Sequence, residues 1–352
     1  MEPVTLTSKT HVMISGGAGF IGSYLSRRLL KMGSKVTILT RHIHAPRAVQ
    51  LSQEGATVIE CDLSSPNRVP RGERLLTADM FFHMAADVSV SSPALWAANV
   101  EGTQRALALA SSLQVPYVVF ASSIEAQGLG SDQEIPLCEK SACRPVSDYG
   151  ASKAQAEKLV AQWVSETGQK ALTFRIGNIY GPGSPWMLQP SLMALLGLAP
   201  LTQAWAQLQH RVFQPLYIDD LIEGMVSAVN HDLTGLYNIT GEEPVTVGGY
   251  LHAVASLLQI PERFSTIEAS TLPQASVQGI PADFAYMLMG NPECCHRSYA
   301  NTKLITSIGS YVRWPLARGL ASTLRWFQQT GSWPALLHMV QARRGAGLCM
   351  SH

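Results

Sequence analysis

Apolar and polar positions along this 352-residue chain change their period in a regular order. Short apolar runs that suit buried strands alternate with stretches where apolar residues recur every three or four positions, as on one face of a helix. The first run, residues 11–14, passes directly into Ser15-Gly-Gly-Ala-Gly-Phe-Ile-Gly22. A helix follows that turns Leu25, Leu29 and Leu30 inward and Arg27, Arg28 and Lys31 outward, with Gly33 as its C-cap. Further strands are expected at residues 35–41, 57–63, 79–86, 117–123 and 171–183. Helices open at Asn99, carrying Leu107, Ala110 and Leu113, and at Tyr149, carrying Leu159, Val160 and Trp163. Strand and helix alternating in this way imply an α/β fold with a doubly wound parallel sheet, the Rossmann arrangement.

Beyond Gly183 the alternation fails. Residues 186–209 read as a helix broken at Pro200, and 212–219 as an extended entry into a helix from Asp220. A strand returns at 235–239 and a helix at 247–258. The expected division is a dinucleotide-binding domain over residues 1–183, to which about 212–240 return, and a smaller C-terminal substrate-binding lobe over 184–211 and 241–332. Residues 333–352 read as a loosely attached tail.

Composition narrows the partners. A net charge of +1 and a pI near 7.7 leave no electrostatic footprint for nucleic acid or an anionic membrane. Charged residues are 14% of the chain, against roughly 25% in an average domain. The shortage points to covered surface, through a homo-oligomer, an apolar ligand or a protein partner. The six cysteines show neither a disulfide framework nor zinc-like spacing, and Cys294-Cys295-His296 lacks a second ligand pair. No metal is expected. The first apolar run is short and preceded by Glu2 and Lys9, unlike a signal peptide. The uncharged stretch between Arg175 and Arg211 is interrupted by Pro190, Pro200, Gln189 and Gln203, which leaves too short an apolar segment to span a bilayer. A soluble protein of a reducing compartment, the cytoplasm, is expected.

The chemistry lies in a few positions. In a strand–turn–helix context, Gly16 permits a tight turn, Gly19 lets backbone approach a pyrophosphate, and Gly22 lets helix and strand pack closely. The phosphate then meets the free N–H groups of the helix start. At the end of the second strand an acidic residue would bind an adenosine 2′-hydroxyl, but Thr40 stands there, followed by Arg41. A guanidinium pairs well with phosphate, so NADP(H) is favoured over NAD(H). Asp62, at the end of the third strand, is placed to meet the adenine, and Ala85 and Ala86 form a low floor after the fourth. His83 is expected to be a packed core histidine. Tyr149 and Lys153 lie one helical turn apart on one face. A nearby ammonium stabilises a phenolate and brings its pKa toward working pH. Ser122 and Ser123, at a strand end, serve either the chemistry or the cap of the next loop.

Taken in order, these segments resemble the extended short-chain dehydrogenase/reductase superfamily, which also contains the sugar-nucleotide epimerases and dehydratases. The matching stretches are the glycine turn, His83-Met-Ala-Ala86, Asn99-Val-Glu-Gly-Thr103, Ser122-Ser123, Tyr149-Gly-Ala-Ser-Lys153, Arg175-Ile-Gly-Asn178-Ile-Tyr-Gly-Pro-Gly183 and Tyr217-Ile-Asp219-Asp220-Leu. The resemblance implies Tyr149 as catalytic acid/base, Lys153 as the group that lowers its pKa and holds the nicotinamide ribose, and Ser123 as the hydrogen-bond partner of the substrate oxygen. It further implies a cofactor site formed by Gly16, Gly19, Phe20, Ile21, Gly22, Arg41, Asp62, Leu63, Ala85, Ala86, Asn99, Tyr149, Lys153, Ile176 and Asn178. Asn99 resembles the family's helix-kinking asparagine. A homodimer through helices 99–114 and 149–167 is implied as well.

Several departures favour one branch. Dehydratases follow their catalytic threonine with an Asp-Glu pair, whereas Ile124-Glu125 follows Ser123 here. Epimerases mostly carry an acidic residue where Thr40 stands, and an aromatic residue of many members is replaced by Gln127. Between Arg175 and Lys303 only Arg211, Arg263 and Arg297 are strong bases, while Trp186, Met187, Leu192, Met193, Leu195, Leu196, Leu198, Trp205, Phe284, Met287 and Met289 give an apolar stripe. A diphosphate needs cations and an apolar ketone does not. The expected activity is that of an NADP(H)-dependent ketone reductase or alcohol dehydrogenase acting on a largely apolar small molecule. An NAD-dependent sugar-nucleotide epimerase and a non-catalytic cofactor-binding regulatory subunit are the alternatives.

Overall fold

Parallel strands joined by helical crossovers need cover on both faces, which their alternating side chains supply here. The computed structural model describes residues 5–70, 77–88, 94–184, 209–259 and 296–332. It begins β1 (His11–Ser15), α1 (Phe20–Lys31), β2 (Lys35–Thr40), α2 (Pro46–Gln53), β3 (Thr57–Glu60) and β4 (Met80–His83). A π-helical turn at Ala97–Glu101 leads into α3 (Gly102–Ser112), followed by β5 (Tyr117–Ser123), α4 (Asp148–Thr167) and β6 (Lys170–Ile176). Then come β7 (Asn178–Tyr180), β8 (Val212–Phe213), β9 (Pro215–Tyr217), α5 (Ile218–Asn230), β10 (Gly235–Ile239), β11 (Val245–Thr246) and α6 (Val247–Leu258). Two helices, α7 (Thr302–Ile308) and α8 (Leu316–Gln329), close the described chain.

Seven strands form the main sheet in the order β10-β6-β5-β4-β1-β2-β3, all parallel. Val12 and Ile14 face a core shared with Leu25 and Leu29 of α1 and Met225 and Val226 of α5. Met13, Phe81 and Phe120 face the opposite core, built from Ala106 and Ala110 of α3 and Ala156 and Val160 of α4. The chain runs outward from β1 to β3 and then returns to β4 on the other side of β1. That reversal opens a crevice at the carboxyl ends of β1 and β4, where open α/β sheets bind ligands.

Differences from the expected elements arise where tertiary packing takes over. The strands expected to end at residues 63 and 86 stop at Glu60 and His83, so Asp62, Leu63, Ala85 and Ala86 lie in the loops just beyond. The strand expected over 171–183 breaks at Gly177, where a Cβ would lie 2.9 Å from Thr240 Cγ2. Past that glycine β7 leaves the main sheet and pairs with β9. Residues 235–239 supply a seventh strand beyond β6. The helix expected from Asp220 begins at Ile218, which puts Asp219 and Asp220 in its first turn. Helix α2, unforeseen, starts with Pro46 at a first-turn position where proline needs no hydrogen bond. The apolar stripe between Trp186 and Trp205, with Phe284, Met287, Met289, Cys294, Cys295 and residues 333–352, lies outside the described residues. Among the described residues no helix is long and apolar enough to cross a membrane, and no group of His, Cys, Asp and Glu is arranged to hold a metal.

Helix α1 can enter the crevice only because Gly22 has no side chain. A Cβ there would lie 2.2 Å from the Gly16 carbonyl oxygen and 2.8 Å from Gly17 Cα, both backbone atoms. Gly22→Ala should therefore shift the start of α1 and destabilise the protein by about 1–3 kcal/mol, the usual range for overpacking. Chemical denaturation measures it, and an unchanged midpoint would show that the turn yields without strain.

Candidate active site

The glycine turn is an anion cradle by shape and by charge. Gly16 sits at φ +69° with its N–H donating to the Leu39 carbonyl at 3.0 Å, and Gly19 N–H donates to Gly16 O at 2.9 Å. Helix α1 carries neither a side-chain cap nor an acidic residue in its first turn, so its positive end is left to a ligand. Phe20 and Ile21 are half-buried in that turn, with the Phe20 ring edge-on to Tyr24. Arg41 is exposed immediately after β2. Asp62 accepts hydrogen bonds from Ser64 N (3.0 Å) and Ser64 Oγ (2.6 Å). Burial opposes its charge, but Ser64 and then Arg41 and Arg68 outweigh it and hold the carboxyl below the usual range. Leu63 is buried and its carbonyl accepts from Arg105 Nη1 at 2.8 Å.

At the centre a hydrogen-bond relay ties four elements together. Ala85 N–H donates to Ser15 Oγ at 3.4 Å, and Ser15 Oγ lies 2.7 Å from His83 Nδ1. On the far side His83 Nε2 lies 3.0 Å from Thr103 Oγ1, whose hydroxyl donates to Asn99 O at 2.6 Å. With Thr103's proton committed, the imidazole donates from Nε2 and accepts at Nδ1, so it is neutral. Burial, with Lys153 adding to it, pushes its pKa down to about 3. His83 is thus a core histidine, as expected, although it ends β4. The π turn places Asn99 in the interior, where Oδ1 accepts from Asp87 N (2.8 Å) and Nδ2 donates to Asp87 O (2.8 Å) and Ser152 Oγ (3.0 Å). Ser152 Oγ in turn donates to Tyr149 O at 2.7 Å. The loop after β4 and the start of α4 therefore share one asparagine.

The residues expected to carry the chemistry lie on β5 and α4, elements that pack together at the carboxyl end of β5. Ser123 is its last residue, paired in register with Ile176 of β6. Its Oγ accepts from Glu125 N at 3.2 Å, so the cap expected of one serine is present. Ser122 turns away and donates to Glu157 Oε1 at 2.6 Å. Helix α4, capped by Ser147 Oγ accepting from Gly150 N, abuts the turn just after Ser123. A Cβ at Gly150 would lie 2.3 Å from Glu125 O, and this close approach brings Tyr149 to the β5 edge. Tyr149 is half-buried and Lys153 fully buried, with its Nζ 4.6 Å from the centre of the Phe120 ring. Burial lowers the Lys153 ammonium to about 8, and the Glu157 carboxylate one turn further on opposes the fall. Asn178 follows Gly177 on the inner side, and its Oδ1 is buried without a hydrogen-bond partner among the described residues. An open acceptor at that position suits the amide end of a nicotinamide.

Two ion pairs escape the sequence pattern. Arg175 donates through Nε (2.9 Å) and Nη2 (2.7 Å) to the two oxygens of Glu157, and the arginine is buried and the carboxylate largely so. Arg297 pairs with Glu125 at 2.9 Å in a largely buried ion pair. No local pattern signals either pair, because the partners are 18 and 172 residues apart.

A dinucleotide cradle, a serine at the end of the fifth strand and a Tyr-x-x-x-Lys helix beside it define an enzyme of the NAD(P)-dependent short-chain dehydrogenase/reductase type. A model of the NAD dependent epimerase/dehydratase family matches residues 12–240, and the chain belongs to that family. The chain is 26% identical to a 2-alkyl-3-oxoalkanoate reductase of Shewanella oneidensis over 81% of its own length and 74% of the relative's. It is 23% identical to a putative dihydroflavonol 4-reductase of Synechocystis over 90% and 94%, and 23% identical to UDP-glucuronate 4-epimerase 4 of Arabidopsis thaliana over 87% and 75%. Among solved structures it superposes on a UDP-glucose 4-epimerase of Thermus thermophilus in complex with NAD with a TM-score of 0.72 at 23% identity, covering 90% of this chain and 99% of that one. A UDP-glucuronic acid 4-epimerase of Bacillus cereus with NAD gives 0.71 at 20% identity, over 91% and 99%.

The neutral His83 makes the site sensitive to acid. Its ring binds a proton near pH 6.5 in the unfolded chain but only near 3 in the folded one, so its contribution to stability is complete above 6.5 and is lost as pH falls through that window. About 2 kcal/mol should be gone at about pH 5. Urea unfolding at both pH values, in wild type and His83→Asn, reads the share due to this ring; equal losses in the two proteins would show it carries none.

Proposed function

We propose that the protein is an NADP(H)-dependent carbonyl reductase, interconverting a ketone and a secondary alcohol on a largely apolar small molecule. The observation that carries this reading is the placement of Tyr149 on the same helical face as a buried Lys153, against the carboxyl end of β5 where Ser123 lies. Near pH 7 the Lys153 ammonium stays mostly charged and favours the Tyr149 phenolate beside it. Tyr149 then exchanges one proton with the substrate oxygen, which Ser123 Oγ steadies as charge develops there. The cofactor, when bound, supplies or takes up the hydride. Gly16, Gly19 and the first turn of α1, with Phe20 and Ile21, would hold its diphosphate; Asp62, Leu63, Ala85 and Ala86 its adenosine half; Asn99, Lys153, Ile176 and Asn178 its nicotinamide end.

Two observations favour reduction over the family's other chemistries. Glu125, the carboxylate nearest Ser123 in sequence, is committed to Arg297 and is not free to act as the acid of a water elimination. Thr40 stands where a carboxylate would select NAD, and Arg41 after it favours a 2′-phosphate. The reductase from Shewanella oneidensis, similar over most of both chains, supports the same direction. A sugar-nucleotide epimerase with NAD is the second reading, favoured by the resemblance of the fold to UDP-sugar epimerases. The lobe over residues 184–211 and 241–332 is assigned to the substrate in either case.

Tyr149→Phe should lower turnover on a ketone panel by about 10²–10⁴-fold, the usual worth of a general acid. Cofactor affinity, read by NADPH fluorescence, should stay within about twofold because no cofactor hydrogen bond is assigned solely to the phenol. Near-normal turnover would remove the mechanism. Arg41→Ala should weaken NADPH by about tenfold, the loss of one hydrogen bond to a charged group, and leave NADH unchanged. Equal effects on the two cofactors would withdraw the preference.

A further inference from the structure

The pair beneath the site looks at first like simple scaffolding. Arg175 is buried, grips both oxygens of Glu157 and lies beside Ser122 in the β5–β6 register, with Cys143 Sγ accepting from its Nη2 at 3.1 Å. Yet Glu157 is four residues past Lys153 on α4, so its carboxylate stacks one turn from the buried ammonium. Among the described residues the other groups near Lys153 offer it no counter-charge: His83 of β4 is neutral, Phe120 of β5 presents a ring face, and Tyr149 of α4 is the phenol that the proposed function makes depend on it. Three fixed donors, Ser122 Oγ, Arg175 Nε and Arg175 Nη2, hold the Glu157 oxygens in place.

We infer that Glu157, anchored by Arg175 and Ser122, is a positioning residue whose carboxylate keeps the buried Lys153 charged, and so sets the acidity of the site from below. This rests on Lys153 acting as the proposed function has it. An ammonium removed from water is discouraged from carrying charge unless a carboxylate is held nearby.

NMR titration of the protein labelled with ¹³C-lysine reads Lys153 directly, its resonance assigned by loss in Lys153→Arg. The Lys153 midpoint should fall by about one unit in Glu157→Gln, the effect of losing one close counter-charge. It should fall by less in Glu157→Gln/Arg175→Met, which leaves no buried guanidinium without its carboxylate and so spares the fold. NADH and NADPH affinity, measured across the same pH range, should decline at correspondingly lower pH in both variants. A double variant that melts like wild type with an unmoved Lys153 midpoint overturns the inference. A midpoint that falls while cofactor affinity ignores it upholds the Glu157 coupling and removes Lys153 from the cofactor site instead.

Discussion

An ammonium held in the protein interior is the constraint on which this site depends. Lys153 reaches the carboxyl edge of β5 only because α4 packs flat against β5 and β6, and that packing withdraws it from water. Burial without compensation would discharge it. The surroundings answer with a face of Phe120, a carboxylate one turn along the helix and a neutral imidazole where a second cation would be intolerable. The tautomer of His83, read from Ser15 on one side and Thr103 on the other, belongs to the same electrostatic arrangement as the lysine.

The polar network around the crevice is equally economical. Ser15 ends the strand that leads into the glycine turn, His83 ends the neighbouring strand, and Thr103 and Asn99 start the helix that crosses behind them. Because Asn99 bonds both backbone groups of Asp87 and reaches Ser152, the loop after β4 and the helix that carries Tyr149 are registered to each other. The π turn is what turns Asn99 inward, and a regular helix would present a different residue there. Each hydrogen bond is modest in water but costly to lose once buried, which makes the arrangement sharply defined.

Most of the sheet was legible because buried parallel strands are continuous apolar runs: residues 117–123, 235–239 and the helix at 247–258 fall where the pattern put them. Strand ends were less so. Asp62 and Ala85 continue apolar or small-residue runs, and nothing local says that pairing stops two residues earlier. The break at Gly177 was hidden for a similar reason, since the approach of Thr240 that demands it comes from a strand 60 residues on. Among the functional positions, the glycines, Ser123, Tyr149 and Lys153 stand out because their spacing is itself geometric, set by a turn or by 3.6 residues per helical turn.

Local order alone thus determined that the chain builds a doubly wound sheet with a glycine turn at the start of its first helix and a tyrosine one helical turn from a lysine, since those features arise from neighbours in the chain. Which carboxylate answers the lysine, which arginine occupies Glu125, and which way Ser122 turns were decided only on folding. Charge–charge and hydrogen-bond energies depend on distance through space and on exclusion of water, and neither is written in the separation of residues along the chain.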